Sequence, residues 1–341
     1  MTSGPFAHFA GTLATDLVEV VDVLERPGCL DRGWWAVVGT FEGAITGYRF
    51  GRVRQAPPTA GPPGSRVWPG VTGWEDSLPR NEFLLAVGRI RDLIAAGMVY
   101  QANLCRLLTA PLPPGADPVA LADRLAAGNP APYQGILHTG SDWIVTASPE
   151  LFLARDGRII TSGPVKGTAA PGQPFAAKDY PENIMITDLV RNDLGRIATA
   201  GSVTVTALAA GQDHPGLRHL VSIIRAELAS GAGWGELLAA TMPPGSVSGA
   251  PKYTALQTIS ELEPAPRGPY CGAIGFVDGD RERARLAVGI RTFHTTRNAT
   301  LLHFGAGAGI TYGSVAADEW AETELKAATL LGLAGSPHRV D

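Results

Sequence analysis

Two short segments place reactive side chains beside apolar runs. Lys166 lies in the segment GPVKGT (163–168), where glycine and proline hold the lysine on a rigid turn. If such an amine loses its hydration, its pKa falls and it becomes a nucleophile at neutral pH. An ordinary surface lysine is the alternative that the local sequence favours. Glu150 follows the apolar run 143–147, where partial burial would keep its carboxyl protonated and suited to general acid catalysis. A glutamate on a solvent-facing turn is again the simpler local alternative.

Carboxylates on two predicted helices form a second candidate site. Asp179 and Glu182 lie in the first turn of one helix, where capping explains both residues without a metal ion. Glu319, Glu322 and Lys326 share one face of the last helix, and a solvated i,i+4 ion pair accounts for that spacing. A magnesium site follows only if carboxylates of the two helices converge, because Mg²⁺ prefers oxygen ligands and completes its octahedron with water and substrate oxygens.

Familiar nucleotide-binding and metal-binding motifs do not explain the sequence. The segment GSVSGAPK (245–252) is superficially similar to a phosphate-binding loop, but Ala-Pro separates its second glycine from the lysine and no Ser or Thr follows. The glycines of GAGAG (305–309) indicate close backbone packing, or bare amides that receive a carboxylate. No histidine has HExxH or paired ligand spacing, and His219 is as compatible with the core as with a working site.

The elements that must position these residues alternate without a regular strand–helix–strand period. Helical patterns predict helices over 81–96, 179–193, 216–228, 234–241, 252–262 and 316–333, and one around 15–24. Short β-like runs predict strands that include 135–138, 143–147, 151–154, 159–162, 273–277, 284–292 and 301–305. This mixture favours an α+β fold over a doubly wound sheet. A loop rich in proline and glycine over 54–66 is the one predicted internal boundary.

Length and composition restrict the class of protein. The chain has 341 residues, of which 45% are hydrophobic and 18% charged, as expected for a compact protein of one large domain or two modest ones. A formal net charge of −4 argues against a nucleic-acid partner held through phosphates. The sequence has no apolar run long enough to cross a membrane, no recognisable secretory signal, and no cysteine spacing typical of disulfides or zinc sites. The expected location is therefore the cytoplasm, without a membrane partner.

A series of sequence blocks occurs in an order that is typical of one family. In chain order the blocks are GMVYQANLCR (97–106), ASPELFL (147–153), GPVKGT (163–168), ENIMITDLVRNDLGR (182–196), RHLVS (218–222), PGSVSGAPK (244–252), RGPYCGAIGF (267–276), VGIRT (288–292) and GAGAGI (305–310). Together they resemble the chorismate-utilising enzymes, most closely component I of aminodeoxychorismate synthase (para-aminobenzoate synthase), which is related to component I of anthranilate synthase. The resemblance covers residues 80 to 333, whereas the first 75 residues match weakly.

The resemblance implies a fold and a cofactor. The fold would be α+β, with two antiparallel β-sheets packed as a sandwich and flanked by helices, in a single chorismate-binding domain. Residues 1–75 would be a shortened N-terminal part packed on the same fold, and residues 76–341 the chorismate-binding catalytic region. Members of the family use Mg²⁺ to hold the ring carboxylate of chorismate, and Glu182 and Glu319 match its ligands, with Asp179 close behind.

The resemblance also implies roles for substrate-site residues. Glu150 matches the general acid that protonates the departing C4 hydroxyl. Arg291 and Tyr270 match positions that hold the enolpyruvyl carboxylate, helped by backbone amides near Gly307 and Gly309. The remaining matches to substrate-binding positions are Lys326, near the ring carboxylate, and Ser246, His219 and Thr168.

Two positions distinguish the reactions within this family. Relatives that add water to chorismate carry a lysine base where this chain has Gln101 at the substrate site, and an amide cannot take a proton from water. Anthranilate synthases have alanine where this chain has Lys166. In aminodeoxychorismate synthases this lysine attacks C2 as the C4 hydroxyl leaves, and ammonia then enters at C4 and expels the lysine. The resemblance therefore implies amination of chorismate to 4-amino-4-deoxychorismate for p-aminobenzoate synthesis, in folate or secondary metabolism.

No glutamine amidotransferase segment is visible, so ammonia is expected from a separate glutaminase subunit or from solution. The product would pass to an aminodeoxychorismate lyase. Two alternatives stay open. One is an anthranilate-type or hydrating synthase in which the lysine is incidental. The other is a chorismate-binding protein without turnover, prompted by the short N-terminal part and by the segment after Thr168, which lacks the family's arginine-rich continuation.

Overall fold

A computed structural model describes residues 4–56, 67–214 and 217–335. Most of the boundary predicted over 54–66 lies outside these described residues. The α-helices are α1 (Arg80–Ala95), α2 (Pro118–Gly128), α3 (Asp179–Gly195), α4 (Trp234–Thr241), α5 (Lys252–Leu262) and α6 (Ala316–Ala334). Short 3-10 helices occupy Pro27–Asp31, Gly245–Val247 and Gly279–Arg281. None of the helices in the described ranges is long and apolar enough to span a bilayer.

Strands make up most of the fold. They are β1 (Phe6–Phe9), β2 (Thr12–Asp22), β3 (Trp34–Gly39), β4 (Ile45–Gln55), β5 (Glu75–Asp76), β6 (Gln101–Pro111), β7 (Tyr133–His138), β8 (Trp143–Ser148), β9 (Leu151–Asp156), β10 (Ile159–Gly163), β11 (Val165–Ala169), β12 (Thr204–His214), β13 (Leu217–Glu227), β14 (Gly249–Ala250), β15 (Ala273–Asp278), β16 (Arg283–Val288), β17 (Thr292–Thr296) and β18 (Leu301–Ile310).

The strands pair antiparallel throughout and form two halves. One half runs in the order β12–β13–β10–β9–β16–β15–β3–β4–β2, and β11 also pairs with β13. The other half runs β1–β7–β8–β17–β18–β6, with β5 and β14 paired to β6. The prediction of an α+β fold with antiparallel sheets and flanking helices is confirmed. The two halves are continuous, because β1 pairs with β2.

The N-terminal segment supplies strands to both halves of the sheet. Strand β1 pairs with β7 in one half, and β3 pairs with β15 in the other. Backbone hydrogen bonds therefore tie residues before position 57 to strands that come much later in the chain.

Helix α3 is fixed over the sheet by a stripe of apolar side chains. Ile186, Val190 and Leu194 recur at helical spacing and are all buried in one hydrophobic cluster with Trp35 of β3 and Cys105 of β6. The helix packs on β11 and β13. This packing places the first turn of α3 beside the strand that carries the GPVKGT segment.

Three predicted elements differ from the structure. The predicted helices over 15–24 and 216–228 are strands β2 and β13. Strand β13 pairs with β10 and β11 on one side and with β12 on the other, and its β-branched residues Val221, Ile223 and Ile224 suit such a central strand. The single strand predicted over 284–292 is interrupted between β16 and β17.

Candidate active site

A cavity of about 630 Å³ lies between the two halves of the sheet, a volume suited to a small ligand. Strands β11 and β13 of one half and β6 and β18 of the other contribute to its wall, together with α3 and α6. Among the predicted site residues, all but Gln101 and Glu319 lie on this wall. Those on the wall are Glu150, Lys166, Thr168, Asp179, Glu182, His219, Ser246, Tyr270, Arg291, Gly307, Gly309 and Lys326.

Lys166 enters the cavity through an irregularity in β11. The register of β11 against β13 gains one residue between Val165 and Thr168. Such a β-bulge changes the direction of the side chains within it. Gly167 completes the bulge with φ of +90°, and a Cβ there would lie 2.8 Å from Asp179. Glycine is therefore required both by the backbone conformation and by the close approach of α3.

The Lys166 amine has no fixed partner. In the part of the chain that the structure describes, no hydrogen bond or ion pair involves it. Burial lowers the pKa of Lys166, and the nearby carboxylates Glu182 and Glu150 offset part of that shift. A partly desolvated amine without a committed partner can react as a nucleophile.

Glu150 lies between β8 and β9 and is only 3% exposed. Burial raises its pKa to about 7, although a hydrogen bond from Ser246 and the charge of Lys166 act in the opposite direction. A carboxyl with that pKa exists in both protonation states near neutrality, which is the property that a general acid needs. Neither residue is thus the ordinary surface residue that the local sequence favours, since Lys166 lines the cavity and Glu150 is buried.

The stability of a Glu150→Gln variant should respond differently to pH. In the wild type the pKa is raised from 4.5 unfolded to about 7 folded. The stabilisation from the protonated carboxyl is therefore complete below pH 4.5 and is lost as the pH rises through 7. This loss corresponds to about 3 kcal/mol, and glutamine, which does not titrate, avoids it. Urea unfolding of both proteins at about pH 5 and about pH 8 measures the difference. Equal pH dependence in wild type and variant would contradict the raised pKa.

Helices α3 and α6 bring carboxylates to one end of the cavity. Asp179 and Glu182 come from the first turn of α3, and Glu322 comes from α6. Burial raises the pKa of both α3 carboxyls, and the charge of Glu322 adds to each shift. Two lysines partly neutralise Glu322: Lys326 Nζ lies 2.7 Å from Oε1, and Lys178 Nζ lies 3.7 Å from Oε2. Carboxylates of two helices therefore contribute to the same cavity wall.

The structure places Glu322, not Glu319, on the cavity wall. Glu319 lies one helical turn earlier, is 4% exposed and accepts a hydrogen bond from the Ser314 hydroxyl. Its Oε2 has no hydrogen-bond partner among the described residues. Asp179 does not cap α3, because Lys178 occupies the capping position and no side chain makes a capping hydrogen bond there. Asp179 Oδ2 instead accepts a hydrogen bond from the Ala176 N–H at 3.0 Å. In the described ranges, no group of three or more His, Cys, Asp or Glu side chains can hold a metal ion on its own.

Alternating glycines of β18 leave room for side chains at the cavity. A Cβ at Gly305 would lie 2.2 Å from the Tyr270 ring, and one at Gly307 would lie 2.4 Å from Cys105 Sγ. Since strand residues two apart share a face, these positions line the same side of β18. The Lys326 ammonium donates to the Gly307 carbonyl at 3.1 Å, which fixes that lysine at the cavity floor.

Gln101 is not among the residues that line the cavity. It is fully buried on β6, and a Cβ at Gly309 would lie 2.3 Å from its Nε2. Neither polar atom of its amide has a hydrogen-bond partner in the described structure. Gln101 nevertheless shares its face of β6 with Asn103 and Cys105, which line the cavity, and its amide lies next to Gly309 of the cavity wall.

Arg291 lies at the interruption between β16 and β17, with φ of 52°. Such a conformation is strained for a residue other than glycine and is frequent at functional sites. Burial lowers the pKa of its guanidinium, and Nη1 donates to Asn129 Oδ1 at 3.5 Å. Asn129 directly follows α2. The helical patterns did not predict α2, and Asn129 was not among the predicted site residues. On the opposite wall, Thr168 Oγ1 lies 3.1 Å from His219 Nδ1.

Comparison with known proteins matches most of the chain to one family. The model of the chorismate binding enzyme family matches residues 54–332. Anthranilate synthase component 1 of Thermus thermophilus is 37% identical over 288 residues, which are 80% of this chain and 61% of that protein. Aminodeoxychorismate synthase component 1 of Bacillus subtilis is 33% identical over 257 residues, or 72% of this chain and 54% of that protein. The matched regions thus span little more than half the length of these relatives.

Solved structures share the fold. Anthranilate synthase component I from Streptococcus pneumoniae superposes with a TM-score of 0.81 at 22% identity, covering 95% of this chain and 92% of that one. The menaquinone-specific isochorismate synthase MenF of Escherichia coli gives a TM-score of 0.79 at 17% identity, covering 97% and 88%. Because the family match extends over most of the chain and contains nearly all of the cavity wall, this chain belongs to the chorismate-binding enzyme family.

Proposed function

We propose that the protein is an aminodeoxychorismate synthase, which replaces the C4 hydroxyl of chorismate with an amino group from ammonia. The observation that carries the proposal is the position of Lys166. Its amine lies on the cavity wall without a fixed partner among the described residues, and it interacts electrostatically with the buried carboxyl of Glu150. Glu150 can protonate a leaving hydroxyl while the amine attacks the ring. A reaction without a covalent intermediate would leave this amine without a role.

The proposed reaction has two displacements. Lys166 attacks C2 as the neutral amine, the ring double bond shifts, and the C4–O bond breaks as Glu150 gives its proton to the departing hydroxyl. Ammonia then bonds to C4 and the C2–N bond breaks, which returns Lys166 as the neutral amine. The reaction thus consumes chorismate, ammonia and the proton of Glu150. It forms aminodeoxychorismate with a protonated amino group, water and the Glu150 carboxylate. Splitting one difficult substitution into two easier steps is the gain from covalent catalysis.

The remaining wall residues would orient chorismate. Arg291 and Tyr270 would hold the enolpyruvyl carboxylate, and Lys326 would lie near the ring carboxylate. Glu182 and Glu322 are the residues that would hold Mg²⁺. Asp179 and Glu319, from the same two helices, would lie next to these ligands. The donor set fits, because carboxylate oxygens suit this ion and α3 and α6 both contribute them to the cavity wall. A bound Mg²⁺ would stabilise negative charge on the ring carboxylate.

The proposed partners follow from the chemistry of the reaction. Ammonia would come from a glutamine amidotransferase subunit or from solution, and an aminodeoxychorismate lyase would convert the product to p-aminobenzoate. The cytoplasm would be the compartment in which these partners meet.

Anthranilate formation is the second candidate function. Several relatives named anthranilate synthase component 1 are 34% to 37% identical to this chain. In that reaction the nitrogen enters next to the carboxyl-bearing carbon, and Lys166 would have no covalent role.

Product identification distinguishes the candidates. The protein is incubated with chorismate, ammonium and Mg²⁺, and the products are separated with and without added aminodeoxychorismate lyase. We expect p-aminobenzoate only when the lyase is present. Anthranilate as the main product would overturn the C4 assignment. Chorismate binding without any product, at every ammonium concentration, would identify a non-catalytic chorismate-binding protein.

A further inference from the structure

A second, much smaller cavity lies behind Glu150. Its volume is about 20 Å³, room for about one water molecule. Every residue that lines this inner cavity is buried. Glu150 and Ser246 are the residues of the described structure that line both cavities. Glu150 therefore contributes to the walls of both the main cavity and the inner cavity.

The inner cavity connects Glu150 with a buried ion pair. Asp193 of α3 lines it and is 5% exposed. Lys252 Nζ, at the start of α5, lies 2.5 Å from Asp193 Oδ2 and donates to the Thr241 carbonyl at 3.2 Å. The Lys252 side chain is 17% exposed, so it reaches solvent while its ammonium stays paired. A path from solvent to Glu150 thus passes Lys252 first, then Asp193 and then the inner cavity.

The proposed reaction requires Glu150 to regain a proton after each turnover. Glu150 ends each turnover as a carboxylate, because its proton leaves with the C4 hydroxyl as water. A bound substrate or product occupies the main cavity, so resupply of the proton from that side has to wait for release. The inner cavity reaches the same carboxyl from the opposite side.

We propose that Lys252 and Asp193 return a proton from solvent to Glu150 through one water molecule in the inner cavity. The Lys252 ammonium gives a proton to Asp193, Asp193 passes a proton to the water, and the water passes one to Glu150. Lys252 then regains its proton from solvent. O–H and N–H bonds alone are exchanged, and one proton moves per turnover. Asp193 acts through the water and is a positioning residue for the acid step.

Other charges face the two carboxyls. Lys166 of β11 and Tyr133 of β7 interact electrostatically with Glu150, and Arg196 interacts with Asp193 in addition to Lys252. None of these three residues lines the inner cavity in the described structure. Removing the Asp193 carboxylate or filling the inner cavity should therefore affect the proton path more than the binding of chorismate.

Two variants test the proposal by different means. Asp193→Asn removes the proton-carrying carboxylate, and Val190→Ile places an extra methylene at the inner cavity while leaving the ion pair intact. Val277→Ile is the matched control, since Val277 is also buried in the same hydrophobic cluster but does not line either cavity. For both test variants we expect kcat to fall about tenfold or more with KM little changed, since positioned proton transfer contributes roughly 10²- to 10⁴-fold. Small buffer acids should restore part of the lost rate, but should not accelerate the control.

The proton path would be overturned if kcat fell as much in Val277→Ile as in the test variants. It would also be overturned if buffer acids did not restore part of the rate that the test variants lose. If Asp193→Asn fails to fold, Val190→Ile and a crystal structure of the wild type still decide. We expect an ordered water within hydrogen-bonding distance of Glu150 and Asp193, and its absence would overturn the proposal. The inference rests on the proposed function only through the role of Glu150 as acid. Because kcat is followed as chorismate consumption, anthranilate as product would refute the proposed function without affecting this test.

Discussion

Replacing Lys166 with alanine should reduce the conversion of chorismate to aminodeoxychorismate by at least about 10³-fold, while chorismate still binds. The expected loss exceeds that of an ordinary polar contact because the variant lacks the atom that forms the covalent bond. Steady-state formation of p-aminobenzoate in the presence of excess lyase gives the rate, and equilibrium titration gives the affinity for chorismate.

Lys166→Arg is the matched control for the role of the lysine. Arginine keeps the positive charge but does not lose its proton in proteins, so it cannot attack C2. A nucleophilic Lys166 predicts that the arginine variant is as inactive as the alanine variant. Substantial activity in the arginine variant would show that the lysine acts as a charge, and the covalent mechanism would have to be abandoned.

Loss of the divalent cation should have the second large effect. Removal of Mg²⁺ with a chelator is expected to stop turnover, and added Mg²⁺ is expected to restore it, because two carboxylates and the substrate would share the ion. Glu322→Gln removes one of the two proposed protein ligands from the cavity wall. We expect the Mg²⁺ concentration for half-maximal activity to rise by at least about 10²-fold. Substitution of a residue that only contacts a metal ligand typically weakens metal binding by about 10- to 100-fold.

Glu319→Gln is the control for this ligand assignment. Glu319 and Glu322 lie on the same helix, but Glu319 does not line the cavity in the described structure. The Mg²⁺ requirement of Glu319→Gln should therefore change less than that of Glu322→Gln. The reverse order would support the ligand pair that the sequence resemblance implied, and activity that is unaffected by a chelator would remove the metal from the account.

The family motifs named residues that line one cavity, whereas local patterns favoured surface positions. Local sequence alone favoured a surface position for Lys166 and for Glu150, because isolated turns rarely bury charged groups. Their burial depends on partners distant in the chain: the bulge against β13, and Ser246 next to Glu150. Only the order of the sequence blocks contains that long-range information.

Long-range packing also explains why one predicted helix is a strand and why two predicted site residues do not line the cavity. The segment 216–228 has apolar residues at helical spacing, but pairing on both edges makes it the central strand β13. Glu319 and Glu322 share a helix face by spacing, and only the packing of α6 determines which of them reaches the cavity. Gln101 packs against Gly309, and that contact depends on the register of β18 against β6.

The mass of the intact protein, mixed with chorismate and Mg²⁺ in the absence of ammonia and quenched rapidly, tests the central claim most directly. A covalent Lys166 intermediate predicts a species heavier by one chorismate less one water, and peptide mapping should locate the addition on Lys166. Addition of ammonium should discharge the adduct and release aminodeoxychorismate. An unmodified protein that nevertheless forms aminodeoxychorismate when ammonium is present, or an adduct on another residue, would contradict the account.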